Sequence, residues 1–368
     1  MPALFFALVV LLTGFGALMV YSASVFKYGG SQYYFFKREV IWTVLGFLAM
    51  WGAYRVPLEK VRDNAPLIFG ATLLALLLVF SPLGVKVLGA RRWLNFGFFR
   101  FQPSEALKYV MLIMLAWWYD KEKRDAGQFV KGVLVPLFFV LSGVVLVVLE
   151  KDLGTPVLIC AVSMLVCLAG GMKLIYAVIA GVGMLFAGAA LIIMEPYRFR
   201  RLISFIDPTS DSLGTNYQSL QALMAICSGK LDGVGLGNSV FKTAYLPEAH
   251  TDFIFAIIGE ELGFVGSLGL ISAFALLIII MWRLTSIMED TFCRLLGYGI
   301  TLTIGLQTLI NIGVTTALLP NKGMGLPFIS YGGSSLLFLL AACGLFLNMS
   351  KGRIKAVRRV HASVSGGL

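Results

Sequence analysis

Long apolar stretches separated by short polar segments make up most of this 368-residue chain. A helix needs about 20 apolar residues to cross the hydrocarbon core of a bilayer, and many stretches approach that length. They lie at 4–22, 39–56, 66–83, 104–119, 129–149, 155–171, 172–194, 253–282, 293–318 and 333–350. The pattern therefore predicts an all-α polytopic membrane protein, with ten transmembrane helices in a single integral membrane domain over residues 1–368.

Two polar segments interrupt this pattern. The segment 195–250 is too long for a simple connector, and we expect one large extracytoplasmic loop there. The segment 319–335, which contains PNKGMGLPFISYGGSS, is too polar and too rich in glycine to cross a membrane. Within a membrane protein, irregular backbone of this kind is tolerated where it lines a cavity between helices. We therefore expect a polar cavity beside this segment.

The composition excludes a soluble, disordered or disulfide-stapled protein. Hydrophobic residues make up 58% of the chain and charged residues 13%, with a mean hydropathy of +0.87, whereas soluble domains carry about 25% charged residues. The five cysteines show no metal-ligand spacing. The two histidines, His250 and His361, are too few for a histidine-rich metal site.

The net charge of +11 favours partners with negative charge. No basic segment interleaved with aromatic residues lies on a soluble domain, so we expect membrane lipids and a phosphate-bearing lipid substrate as partners and no nucleic acid. Lys and Arg are nearly balanced between the two sides of the predicted membrane. The basic tail, 351–368, directly follows the last span and therefore places both termini in the cytoplasm. Arginine clusters in the predicted outer loops then indicate a site for an extracytoplasmic anion.

The sequence PEAHTDFIFA joins the long loop to a very apolar span. One interpretation is structural, because Thr251 or Asp252 could cap the following helix. The other is catalytic, because a carboxylate half out of water has a raised pKa and can act as a base, and His250 adds a second titratable group. Glu260 and Glu261 follow in the same span, where Glu261 is best explained as a hydrogen-bonding centre and Glu260 stays open between the two interpretations.

Two further motifs lie on the predicted outer side. Arg91 and Arg92 precede Trp93, and guanidinium groups match the oxygen atoms of a pyrophosphate; anchoring at the membrane interface is the alternative. Glu105 and Lys108 are spaced to form an ion pair along a helix.

A short predicted loop, EKDLGTP, lies between two spans. Thr155 followed by Pro156 predicts the cap of the next helix. Asp152 is then left available for a functional role.

Several motifs together resemble the SEDS family of membrane proteins, which act in shape, elongation, division and sporulation. They are GARRWL, FQPSE, EKDLGTP, GVGLGNS, LPEAHTDFIFAIIGEELG and LPFISYGGSSLL, in family order. The motif LPEAHTDFIFAIIGEELG and the PNKG before LPFISYGGSS are more similar to the division branch than to the elongation branch. The sporulation branch stays open as an alternative.

The resemblance implies a ten-helix peptidoglycan glycosyltransferase of the cytoplasmic (inner) membrane, placed at the division septum in the division branch. Its substrate would be lipid II, a disaccharide-peptide linked to undecaprenyl pyrophosphate, polymerised at the outer face. The resemblance also implies a class B penicillin-binding protein as transpeptidase partner, besides other membrane proteins of the divisome or elongasome. Asp252 matches the family's essential aspartate, and Glu105 and Lys108 match its paired glutamate and lysine. The arginine-tryptophan motif falls on Arg92 and Trp93, and the DLGT aspartate on Asp152.

These observations predict inverting glycosyl transfer with Asp252 as the general base. The predicted substrate-binding residues are Arg91, Arg92, Trp93, Glu105, Lys108, Asp152, Arg198, His250, Lys322 and Ser330. A divalent cation, Mg²⁺ or Mn²⁺, is a further way to stabilise the leaving pyrophosphate, although Asp252 has no carboxylate partner within one helical turn.

Two functions of other classes stay open. A lipid II flippase would also need a cavity with charged walls, and Asp252, Glu260 and Glu105 lie at different predicted depths. The chain shows none of the inverted repeats that many transporters carry. A scaffold of the division complex without activity of its own is the third possibility.

Overall fold

The structure, a computed structural model, describes residues 1–24, 33–87, 90–95, 97, 99–194, 199, 203, 205, 217–321 and 323–365, with 352–365 described by their backbone alone. Its helices are α1 (Pro2–Ser24), α2 (Tyr33–Arg55), α3 (Leu58–Asp63), α4 (Ala65–Leu78), α5 (Pro103–Lys121), α6 (Val135–Leu149), α7 (Gly154–Ala169), α8 (Leu174–Ile193), α9 (Tyr217–Ser228), α10 (Phe241–Ala244), α11 (Ile254–Ser286), α12 (Thr291–Thr315) and α13 (Gly333–Ser365). A π-helical turn, Val130–Leu134, leads into α6.

Each predicted span contains a helix, although several helices, such as α4 and α12, end before the predicted boundary. Within the described part of the chain, five helices are long and apolar enough to cross a membrane by length and composition. They are Pro2–Ser24, Val130–Leu149, Ile254–Ser286, Thr291–Thr315 and Gly333–Lys351. Shorter apolar helices cover Ala65–Leu78, Gly154–Ala169 and Leu174–Ala190. The protein is therefore a mostly helical, multi-pass membrane protein.

A small antiparallel sheet precedes α5, and the all-α prediction did not include it. Its strands are β1 (Gly84–Val87), β2 (Ala90–Asn95) and β3 (Arg100–Phe101), in the order β1-β2-β3. Strands this short are difficult to distinguish from a loop by periodicity. The sheet matters for the site because Arg92 is the extra residue of a bulge in β2, between Arg91, which pairs with Lys86, and Trp93, which pairs with Val85.

Helix α11 is interrupted near its beginning, at Gly263 (φ 66°). The segment Lys230–Gly235 fills the interruption with its own backbone. The amide nitrogens of Val234 and Gly235 donate to the carbonyl oxygens of Glu260 (2.9 Å) and Glu261 (3.0 Å). In the opposite direction, the Phe264 amide donates to the Lys230 carbonyl (2.9 Å). The polar backbone groups that the break exposes are thus satisfied within the protein, as a membrane interior requires.

Glu260 and Glu261 bind the residues shortly after this segment, 239–242, through their side chains. Glu260 accepts hydrogen bonds from the Ser239 hydroxyl and from the Val240 amide (2.8 Å). Glu261 forms an ion pair with Lys242 (Nζ to Oε1, 2.6 Å), and both side chains are fully buried.

The Ser22 hydroxyl of α1 donates to the Glu261 carboxylate as well (2.7 Å). The expectation that Glu261 is a hydrogen-bonding centre is therefore confirmed. Glu260 serves the same purpose, since its carboxylate is bound to residues of the loop that precedes α11.

The ion pair between Lys242 and Glu261 leads to a prediction about the stability of the protein. Lys242→Met leaves the Glu261 charge buried without its partner, which costs about 3–5 kcal/mol. We expect a clear fall in the apparent Tm of the purified protein in detergent, and a large part of it should return in Lys242→Met/Glu261→Met. Lys86→Met, at an exposed lysine, is the matched control. A Tm for Lys242→Met equal to that control would contradict the role of the pair.

Candidate functional site

A polar cavity of about 260 Å³ lies between the first turns of α5 and α7, the start of α11, the middle of α12 and the segment 323–336. This segment lies within the region that the sequence predicted to line a cavity. Seven predicted site residues line the cavity: Arg92, Trp93, Glu105, Lys108, Asp152, Asp252 and Ser330. The rest of the wall contains polar residues, among them Gln102, Thr251 and Gln307, and apolar side chains, among them Met324, Leu326, Phe328, Leu336 and Leu339.

Asp252 stands at the entrance to α11. The helix begins at Ile254 and its N-cap position is Phe253, so Asp252 lies just before the cap and its carboxylate faces the cavity. The Asp252 backbone carbonyl accepts a hydrogen bond from Asn311 Nδ2 (2.9 Å). On the other side, a Cβ at Gly323 would lie 3.1 Å from Asp252 Oδ2. Position 323 therefore has room for a glycine but little room for a larger residue.

Ser330 holds the cavity wall to the residue before Asp252. Its hydroxyl donates to the Thr251 carbonyl (2.5 Å) and accepts from the Leu326 amide (2.7 Å). Ser330 therefore closes the turn of the segment 326–330 and attaches it to the entrance of α11.

Glu105 and Lys108 form the ion pair that their spacing predicted, with 2.7 Å between Nζ and Oε2. Lys108 Nζ also donates to Gln307 Oε1 of α12 (3.1 Å). The Lys108 side chain is 4% exposed and that of Glu105 is 12% exposed. The ammonium group therefore lies in a largely desolvated place beside the cavity, where its field on a bound anion is only weakly screened.

The two neighbouring arginines behave differently. Arg92 lines the cavity and donates to the carbonyl oxygens of Glu150 (3.3 Å) and Lys151 (2.7 Å). These bonds fix its guanidinium against the α6–α7 connection. Arg91 is exposed, is absent from the cavity lining and donates to the Phe80 carbonyl (3.4 Å). Only Arg92 of this pair lines the cavity.

The expected cap of α7 is wrong in one respect. The helix begins at Gly154, and Asp152 rather than Thr155 satisfies its first turn. Asp152 Oδ1 accepts from the amides of Gly154 (3.0 Å) and Thr155 (3.4 Å), and its Oδ2 accepts from the Thr155 hydroxyl (2.9 Å). The reason is geometric, because the Asp152 side chain reaches forward along the chain to the amides of Gly154 and Thr155. Asp152 thus has a structural task in addition to its place in the cavity wall.

His250 lies behind the cavity wall. Its buried ring packs against Phe35 (4.6 Å between ring centroids) and Tyr331 (5.7 Å), and its carbonyl accepts from the Tyr331 amide (3.0 Å). The side chain thereby joins α2 to the segment before α13. Arg198 and Lys322, the remaining predicted ligands, lie outside the described residues.

Gln307 and Asn311 belong to the site but were missed from the sequence. Both are buried on α12, and both donate to the segment 323–325, as Gln307 does to the Gly325 carbonyl (2.9 Å). Two amides one turn apart in an apolar helix were the available signal.

Of the three carboxylates that the flippase hypothesis places at different depths, Glu105 and Asp252 line the cavity and Glu260 does not. Glu260 is bound to Ser239 and Val240 and is absent from the cavity wall. Glu105 is paired with Lys108, and no group of three or more His, Cys, Asp or Glu among the described residues could hold a metal ion. These donors therefore do not fit a protein-held divalent cation.

Glu150 lies beneath the cavity rim, directly after the apolar span Val130–Leu149. It is buried, and neither of its carboxylate oxygens has a hydrogen-bond partner among the described residues. Burial raises the pKa of the Glu150 carboxyl from 4.5 to about 8; the Asp152 charge adds to the rise and Arg92 opposes it. Between these two pH values only the folded state keeps the proton, so stability falls as the pH rises through this window.

Replacing Glu150 by Gln should remove this pH dependence. The variant keeps a neutral side chain of the same size, so at pH 8 we expect it to exceed the wild type in stability by about 1–3 kcal/mol. At pH 4.5 the difference should be small. The measurement is the apparent Tm in detergent from pH 4.5 to 8.5, with Asp232→Asn, at an exposed carboxylate, as control. Parallel pH curves for the wild type and Glu150→Gln would contradict the raised pKa.

Known proteins are similar to this chain over nearly its whole length. A probable peptidoglycan glycosyltransferase FtsW from Coxiella burnetii (strain RSA 493 / Nine Mile phase I) is 40% identical over 353 residues, which cover 92% of this chain and 93% of that protein. A chain of a solved peptidoglycan synthase complex superposes with a TM-score of 0.77 at 28% identity, covering 95% of this chain and 98% of its own length.

The rod shape determining protein RodA of Thermus thermophilus superposes with a TM-score of 0.69 at 26% identity, covering 95% and 96% of the two chains. Residues 2–355 match the cell cycle protein family of FtsW, RodA and SpoVE. The resemblance to the SEDS proteins is confirmed, and the chain belongs to this family.

Proposed function

We propose that the chain is a peptidoglycan glycosyltransferase that polymerises lipid II into glycan strands during cell division. The observation that carries this proposal is the cavity that brings the Asp252 carboxylate, the buried Glu105–Lys108 pair and Arg92 together beside an apolar wall. A carboxylate suits the acceptor hydroxyl, and the cations suit a pyrophosphate. Curated relatives named as probable peptidoglycan glycosyltransferases, at about 40% identity, support the same activity.

The proposed reaction is a single displacement with inversion. The Asp252 carboxylate accepts the proton of the acceptor sugar hydroxyl, whose oxygen forms a bond to the anomeric carbon of the donor. The bond from that carbon to the pyrophosphate oxygen breaks, and the leaving group takes the electron pair. Lys108 and Arg92 stabilise the negative charge that develops on it. Arg198, Lys322 and His250 stay predicted ligands of the lipid substrate, as does Arg91, whose absence from the cavity lining predicts a smaller contribution than that of Arg92.

We propose that ten helices cross the cytoplasmic membrane with both termini in the cytoplasm. The helices at each predicted span and the basic residues after the last span support this topology. It puts Asp252, at the start of α11, at the outer face. A class B penicillin-binding protein is the proposed partner and the septum the proposed location, supported by the FtsW relatives and by the similar chain in a peptidoglycan synthase complex. A Mg²⁺ or Mn²⁺ ion, if used, would arrive bound to the pyrophosphate.

The sharpest prediction concerns Asp252→Asn. Asparagine keeps the size of the side chain but cannot accept the proton, and general-base contributions amount to about 10²–10⁴-fold. We expect glycan polymer formation to fall by that order. The measurement uses the full chain with its cognate transpeptidase in liposomes containing labelled lipid II.

Asp232→Asn, at an exposed carboxylate, is the matched control and should keep the wild-type rate. Near-normal polymerisation by a folded Asp252→Asn protein would refute the catalytic assignment. Translocated lipid II without polymer from the wild type would instead favour a flippase, and neither product would favour a scaffold.

The neighbouring arginines provide an internal comparison. Arg92→Gln should raise the lipid II concentration needed for half-maximal rate by about 10-fold, the loss of roughly one charge-assisted bond. Arg91→Gln changes the same residue type outside the cavity lining and should change it much less. Equal effects of the two substitutions on KM would show that the cavity-facing position has no special role.

A further inference from the structure

Two buried amides on one face of α12 hold the cavity segment. Gln307 and Asn311 are spaced by one helical turn, and their side chains are nearly inaccessible to solvent. Gln307 Nε2 donates to the Gly325 carbonyl (2.9 Å), and Asn311 Nδ2 donates to the Met324 carbonyl (2.7 Å). We call these two side chains the amide pair. Neighbouring carbonyls of an irregular segment are thereby satisfied by a rigid helix.

Each member of the amide pair also contacts a charged residue of the cavity. Asn311 Nδ2 donates to the backbone carbonyl of Asp252 (2.9 Å). Gln307 Oε1 accepts from Lys108 Nζ (3.1 Å), which is itself paired with Glu105. Helix α12 therefore links the carboxylate at the entrance of α11 to the ammonium group on α5, two elements that are far apart in the chain.

The orientation of the Asn311 amide is determined by its neighbours. Both acceptors are carbonyl oxygens, from Asp252 and Met324, so the NH₂ group must face them, and the reverse orientation would place Oδ1 against two oxygens. Oδ1 is buried and has no hydrogen-bond partner among the described residues. An unsatisfied buried oxygen is unfavourable. The Asn311 amide nitrogen thus donates two hydrogen bonds, although this orientation leaves its Oδ1 acceptor unpaired among the described residues.

The segment that Asn311 holds lies close to the Asp252 carboxylate. Gly323 precedes Met324, and a Cβ at Gly323 would lie 3.1 Å from Asp252 Oδ2. A shift of this segment would therefore press on the carboxylate or leave it space to rotate. Asn311 is bonded to the backbone on both sides of this close approach, so it sets the distance between them.

We propose that Asn311 is a positioning residue for Asp252, and that Gln307 positions Lys108 in the same way. The proposal rests on the proposed function, in which Asp252 is the general base. Proton transfer requires the carboxylate within hydrogen-bond reach of the acceptor hydroxyl, and a misplacement of about 1 Å can reduce the rate about 10²-fold. Asn311 keeps that geometry without touching the substrate.

The test is a double-mutant cycle on the full chain with its cognate transpeptidase, in liposomes with labelled lipid II. Asn311→Leu has a similar volume but cannot donate. We expect kcat to fall by about 10- to 100-fold with KM for lipid II changed less than about twofold. In the Asp252→Asn background, Asn311→Leu should cause no further loss, because residues that act through one group are not additive.

Thr308→Val is the matched control. Thr308 is buried on the same helix and its hydroxyl donates to the Ile304 carbonyl of α12 itself (2.8 Å), so its loss should leave kcat unchanged. If Asn311→Leu does not fold, Asn311→Ser keeps a single donor, and we expect a smaller fall in kcat at constant KM.

The outcomes are distinct. A further fall of kcat in the double variant by the factor seen in the wild-type background would overturn the proposal, as would a wild-type kcat in a folded Asn311→Leu or Asn311→Ser protein. A raised KM at unchanged kcat would overturn it as well. If Asp252→Asn alone retains the wild-type rate, the proposed base is wrong, and this result is read from the single variant whatever Asn311 does.

Discussion

Every buried backbone group in this protein must find a partner within the protein, because the interior of a membrane contains no water to supply one. Continuous helices meet this requirement by themselves. Two departures from helix in the described part of the chain bear on the site, one at Gly263 within α11 and one in the segment 323–332 before α13. In the first, the backbone of Lys230–Gly235 completes the bonding. In the second, buried amides and a hydroxyl take over, and the cavity lies against that segment.

The two irregular places act on the same residue. The first turns of α11 follow Asp252 directly, and Glu260 and Glu261 bind these turns to the preceding loop. Asn311 holds the Asp252 carbonyl from α12. The backbone of Asp252 is therefore held on both sides, and a reacting group needs that kind of support, because small displacements have large effects on rate.

The charged residues form two groups according to whether they line the cavity. Glu260, Glu261 and Lys242 are engaged with each other, with serine hydroxyls or with backbone amides, and they hold the fold. Glu105, Lys108 and Asp252 line the cavity, where a ligand can reach them. This division explains why several charges are retained in so apolar a chain, and it restricts the candidates for chemistry to those that face open space.

The helices and the cavity segment were predictable from the sequence, because the length of an apolar run and the polarity of 319–335 are local properties. The position of Asp252 beside the cavity was predicted from the same kind of local pattern. The ion pair of Glu105 and Lys108 was predicted from the spacing of the two residues along a helix. Other features depend on contacts between distant parts of the chain. Asn311 meets Asp252 across 59 positions, and the break at Gly263 is completed by a loop about 30 residues earlier. Arg91 and Arg92 are adjacent residues of the same type, and the bulge in β2, with only Arg92 in the cavity wall, was not visible in the sequence. Contacts of this kind depend on packing in three dimensions, because a hydrogen bond requires a suitable distance and direction between donor and acceptor. The order of residues in the sequence shows neither.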